Sequence, residues 1–155
     1  MSLSYHKSAR MQHVWLQILA AILMVFSRPT EIPVKLTIPA INLTTTISPV
    51  GLNKENLVDV PQTHVGWYNL GPKLGEKGNL VLDGHTPGIL DGLYTLKPGD
   101  KIYVNNFTYR VTNNVLYLVS KFPTKEIYGQ SDGYNLILIT CAGESARTVI
   151  YAKLI

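Results

Sequence analysis

The chain has 155 residues, enough for one domain with a core of its own and short for two. Hydrophobic residues make up 46% and charged ones only 15%, which argues against a disordered chain. The single cysteine excludes an intrachain disulfide and any paired-cysteine metal or redox centre. The formal net charge is +4, but Lys7, Arg10 and Arg28 precede every acidic residue; residues 29–155 carry only +1 and offer no basic footprint for nucleic acid.

The first element is the uncharged run Val14 to Phe26, preceded by Lys7 and Arg10 and followed by Arg28 and Pro29. A basic leader before an apolar run is the layout of an export signal. Met24-Val25-Phe26-Ser27 is too bulky for the usual small-residue cleavage site. Residues 1–28 therefore read as an uncleaved membrane anchor, N-terminus in the cytoplasm by charge bias. Residues 29–155 become a domain outside the cytoplasm, at the cell membrane. The run is short: about 20 Å of helix against a hydrocarbon core of about 30 Å. Extending it from Met11 to Ser27 narrows the gap, and a buried helix of the domain is the competing reading.

The remainder predicts short strands. Val34–Ile38 alternates until Pro39. Ile41–Ile47 continues, with a turn at Pro49-Val50-Gly51. Leu57–Val60 is a short candidate, and Asn79–Asp83 a compact apolar one ended by Gly84. Ile89, Leu93 and Leu96 have helical spacing and predict one short helix. Lys101–Val104 and Phe107–Val111 flank Asn105-Asn106, a hairpin signal. Asn114–Val119 follows, then a single helical turn at Thr124–Tyr128. Leu136–Ile139 is apolar on both faces, so a central strand is expected. Thr148–Leu154 closes the series. The fold class is all-β, a closed barrel or a sandwich.

The chemistry gathers at strand ends. Cys141 stands where Leu136–Ile139 stops, and the next strand opens near Arg147. A hairpin around Ala142–Ala146 makes Cys141 and Arg147 cross-strand partners, with Cβ atoms about 4.5–5.5 Å apart. A cation there stabilises a thiolate, or the oxyanion of an acyl-transfer intermediate. His85 lies just past Asn79–Asp83, in the Gly- and Pro-punctuated stretch Gly84-His85-Thr86-Pro87-Gly88. A cysteine with a histidine brought near by the fold is the pair needed for nucleophilic acyl transfer. A turn histidine and a buried structural cysteine are the plainer alternative. Thr140, Glu144 and Ser145 flank the pair and are candidate substrate contacts. Asp83 shares a strand face with position 85 and reads as a polar strand-end residue. His6 and His13 belong to the leader, and His64 to a loop. No metal site of usual spacing appears, and no cofactor is expected.

In this order the residues resemble the sortase family, cysteine transpeptidases that attach exported proteins to bacterial cell walls. The resemblance rests on Gly84-His85, Leu138-Ile139-Thr140-Cys141 and Arg147. Ile38-Pro39-Ala40-Ile41, Gly66-Trp67-Tyr68 and Leu93-Tyr94-Thr95-Leu96-Lys97-Pro98-Gly99-Asp100 support it. Gly66-Trp67-Tyr68 is most similar to class F, with classes D and E open. The resemblance implies a closed eight-stranded barrel with one or two short helices. It implies a catalytic triad of His85, Cys141 and Arg147 acting on an LPXTG-like sorting-signal peptide. The thioacyl-enzyme would pass its acyl group to an amine of a cell-wall precursor or a pilin. A hydrolase of the same fold, or a non-catalytic extracytoplasmic peptide-binding domain, are the other readings. Two positions depart from the family: Ile137, where Thr is common, and Asp83, where a small residue is usual.

Overall fold

The computed structural model describes residues 30–155, so the anchor assigned to residues 1–28 lies outside the described residues. Among the described residues no helix is long and apolar enough to cross a membrane. The strands are β1 (Lys35–Ile38), β2 (Leu43–Val50), β3 (Val65–Tyr68), β4 (Gly78–Asp83), β5 (Lys101–Val104), β6 (Phe107–Leu118), β7 (Tyr134–Cys141) and β8 (Ala146–Leu154). They close in the order β1-β2-β3-β4-β7-β8-β6-β5, with β5 pairing back onto β1. This is the expected eight-stranded barrel. The β2–β3 and β4–β7 pairs are parallel and the others antiparallel. A parallel pair needs a long crossover, and the chain from β4 to β7 supplies one that carries β5, β6 and the one-and-a-half-turn helix α1 (Thr124–Tyr128).

Two apolar layers explain why β4 and β7 read as unbroken hydrophobic runs. Leu80, Leu82, Leu136 and Leu138 point into the barrel with Leu36, Trp67, Ile102 and Tyr109. Val81, Ile137, Ile139 and Val149 point outward and are covered by Ile127 of α1, with Phe122 and Tyr128 packed alongside. A strand buried on both faces has no polar positions to spare. Asn79 fastens the cover: its Nδ2 donates to the carbonyls of Glu126 and Ile127 at 2.9 and 3.1 Å, while its Oδ1 accepts from Asn135 at 2.9 Å.

Several elements differ from the sequence expectation, each for a physical reason. The segments 107–111 and 114–119 are one twelve-residue strand, β6, that stays paired with β8 through a register shift between Val111 and Asn113. A bulge lets a long strand bend while keeping its partner. The polar residues that suggested a break are satisfied from afar: Thr112 Oγ1 donates to the Tyr151 carbonyl at 3.1 Å, and Asn114 Nδ2 to those of Tyr94 and Leu96 at 2.9 Å. Residues 89–96 form turns ending in a 3-10 turn at Leu93–Thr95 rather than a helix. Gly88 and Gly92, at φ +146° and +83°, interrupt any α-helical run. Leu90, Leu93 and Leu96 still drop into the barrel core. Leu57–Val60 is a loop with one isolated bridge, Leu52 to Val58, organised by Asn53, whose Oδ1 accepts from the Glu55 and Leu57 amides. Pro49 and Val50 extend β2 instead of turning it, pairing with Trp67 and Tyr68 of β3, a strand the sequence did not announce.

Candidate active site

The site is assembled where β4 and β7 end side by side. Cys141, half-buried at the last position of β7, stands directly opposite Arg147 of β8, as the spacing predicted. The hairpin between them is tied by the Ala142 amide donating to the Ala146 carbonyl at 3.0 Å, with Gly143 at φ +73°. Glu144 and Ser145 lie exposed on this hairpin.

The parallel β4–β7 ladder sets Asp83 beside Ile139, and the Gly84 amide continues the pairing by donating to the Ile139 carbonyl at 3.2 Å. His85 therefore leaves β4 alongside the end of β7. Glycine is required at 84 by close approach: a Cβ there would sit 2.9 Å from Leu90. Thr140 faces away from Cys141 and is 3% exposed. Its hydroxyl donates to the Gly84 carbonyl at 2.7 Å and accepts from the Thr86 hydroxyl at 2.7 Å. The part the structure gives Thr140 is thus to strap down the His85 segment from both sides. Replacing it with valine leaves the Gly84 carbonyl buried without that partner; a loss of about 1–3 kcal/mol in unfolding free energy is expected, read by denaturant titration.

His85 Nε2 lies 3.3 Å from the Val60 carbonyl, an acceptor for the Nε2–H form, and 3.2 Å from the Gln62 side-chain amide. These partners come from the segment whose first part, Leu57–Val60, the sequence suggested as a strand, and nothing in its composition marked them as neighbours of His85. His64 is a loop residue, within 2.5 Å of Ser48 Oγ.

His85, Cys141 and Arg147 all line one groove of about 550 Å3, walled by apolar side chains such as Leu52, Val60, Phe122 and Ile139. Leu52, Leu57 and Val119 stand exposed at its rim. Tyr68 and Tyr128 meet edge to face, centroids 4.9 Å apart, in its floor. A second hollow of about 600 Å3 shares Cys141 and Arg147 and adds Thr86, Tyr94, Thr140 and Glu144. The thiol thus stands between two clefts. Ser145 lines neither, but its carbonyl accepts from the Val119 amide at 2.9 Å, tying the hairpin to the groove wall. Among the described residues no group of three His, Cys, Asp or Glu side chains could hold a metal ion.

Asp83 shares the groove. Burial among apolar neighbours raises its carboxyl to about 7, against the weaker opposing pull of the Gly84 amide and the Arg147 charge. Burial also pushes Tyr128 up, aided by Asp83 and Tyr68. The stability consequence has a definite sign. The unfolded chain releases the Asp83 proton near pH 3.9 and the folded chain only near 7. The stabilisation from the protonated carboxyl is therefore full below about pH 4 and lost as pH rises to about 7. Thermal melts are expected to show a falling melting temperature between pH 4 and pH 7.5, and a smaller fall in Asp83→Asn.

The chain is thus a closed eight-stranded barrel that brings a thiol, an imidazole and a guanidinium to one groove. The sortase-domain family profile matches residues 36–155, most of the chain, which belongs to the sortase family. Among solved structures, sortase A from Corynebacterium diphtheriae is similar at TM-score 0.64 and 22% identity, over 82% of this chain and 62% of that one. SrtA sortase from Actinomyces oris is similar at TM-score 0.66 and 21% identity, over 84% and 87% of the two chains. Sortase C from Clostridium perfringens SM101 gives 0.62 and 20%, over 81% and 70%. At these identities the likeness speaks for the fold. The chain spans less than two thirds of the Corynebacterium structure's length. A comparison with curated proteins finds no match.

Proposed function

We propose that this chain is a cysteine transpeptidase that cleaves a sorting-signal peptide and joins its acyl part to an amine. The observation that carries the reading is the convergence of His85, Cys141 and Arg147 on one apolar-walled groove. The Cys141 sulfur attacks the carbonyl carbon of the scissile amide, and Arg147 holds the resulting oxyanion by charge and hydrogen bonding. Collapse breaks the C–N bond. His85 gives its proton to the departing amine, leaving a thioester on Cys141. An incoming amine attacks the thioester, passes a proton to His85 and restores the thiolate. Water in place of the amine gives hydrolysis.

The exposed Leu52, Leu57 and Val119 suit a peptide with apolar side chains. An LPXTG-like signal, an acceptor from a cell-wall precursor or pilin, and anchoring by residues 1–28 complete the proposal, as does a place near class F through Gly66-Trp67-Tyr68. The test is to incubate the protein with sorting-type peptides, with and without an amine acceptor. Products carrying the amine support transfer. Release of free acid in both arms identifies a hydrolase, and no cleavage of any peptide leaves only a binding domain.

A further inference from the structure

Asp83 is the one carboxylate lining the groove, and no step above uses it. Its place follows from register. β4 sets Asp83 beside Ile139, two residues before Cys141 on the same face, and β8 sets Arg147 beside Cys141. The carboxyl and the guanidinium therefore look into one apolar-walled space from neighbouring rows. The other titratable groups that face Asp83 are His85 from the following loop, Cys141 from β7, Tyr128 from α1 and Tyr68 from β3. The groove wall from the 52–60 loop and from 119–124 brings no charge. Arg147 is the only permanent cation there, and its Nη1 donates to the Ala146 carbonyl at 2.8 Å.

We propose that Asp83 is a positioning residue that acts through Arg147 and makes acyl transfer fall away at alkaline pH. Neutral Asp83 leaves the guanidinium to the oxyanion. The Asp83 carboxylate draws the guanidinium down the groove, away from the carbonyl that Cys141 attacks. The change involves one proton, exchanged with solvent. A groove dried by a bound peptide strengthens the attraction, since charges interact more strongly as water leaves. The carboxyl titrates in the right range, because burial holds it at about 7 rather than near 4. The role given to Arg147 rests on the transpeptidase reading.

The experiment has two arms. In the first, kcat/KM for peptide cleavage is followed from pH 5.5 to 9 in the unaltered protein and in Asp83→Asn. The ratio of the value at pH 8.5 to that at pH 6 is expected to rise at least fivefold in the variant. An unchanged ratio, including a uniform loss at every pH as a purely structural role would give, overturns the proposal. In the second arm, the Asp83 carboxyl carbon is titrated by NMR in the unaltered protein and in Arg147→Gln. A midpoint near 7 that moves up in Arg147→Gln supports the coupling; a midpoint near 4, or no movement, overturns it. The second arm needs no turnover and no Asp83 variant. Absence of peptide cleavage thus counts against the transpeptidase reading, while the titration still decides the link between Asp83 and Arg147.

Discussion

Cys141→Ala is expected to abolish turnover, lowering kcat/KM by about 10⁴-fold or more, because the covalent route has no substitute nucleophile. The chain contains no second cysteine. The residues that share the groove are aliphatic, aromatic or amide side chains, apart from His85, Asp83, Arg147 and the hydroxyls of Thr124, Tyr68 and Tyr128. None of these hydroxyls lies on β7 at the position opposite Arg147. The substitution removes one half-buried sulfur from a strand end, so the fold stays intact. A circular-dichroism melt unchanged within a few degrees, beside a complete loss of peptide cleavage, is the expected pair of readings. Residual turnover above a few per cent would move the nucleophile elsewhere.

Arg147→Ala is expected to lower kcat by about 10²–10³-fold, the scale on which a single oxyanion donor acts. The β7–β8 register fixes its backbone against Cys141, and Tyr117 of β6 stands directly opposite on its other side. Only the guanidinium reaches the groove from β8, so its removal leaves the developing charge to solvent. Arg147→Lys should recover only part of the loss, because an ammonium cannot present the planar fork of donors that a guanidinium does. Steady-state kinetics with a cleavable peptide separates the outcomes. A fall confined to KM would assign Arg147 to substrate binding alone, and full activity in Arg147→Ala would remove the oxyanion role.

Much of this arrangement was legible before any coordinates. The run Leu136–Ile139, apolar at successive positions, demanded a strand covered on both faces, and β7 is that strand. Five residues between Cys141 and Arg147 left room for little but a hairpin, which sets the two residues directly opposite each other on β7 and β8. Local pattern could not disclose what distant chain supplies. Thr112-Asn113 looked like a gap between two strands because the partners that hold this part of β6, Tyr151 for Thr112 and Tyr94 and Leu96 for Asn114, are remote in sequence. The strap that Thr140 makes with Gly84 and Thr86 was not legible, because it joins β7 to the segment after β4, more than fifty residues earlier. Asp83 looked like a polar strand end; it shares its groove with Phe122 and Tyr128, which arrive about forty residues later on the far side of the crossover. β3 went unseen because four residues including a glycine make a faint strand signal.

The central claim, that three side chains around one groove carry an acyl group on sulfur, is tested most directly by mass. The protein is mixed with a cleavable sorting-type peptide, quenched in acid within the first turnover and digested for peptide mapping. The account predicts that the fragment containing Cys141 gains the mass of the peptide's acyl portion, and that hydroxylamine removes it. Cleavage of the peptide with that fragment unmodified at every quench time would contradict it.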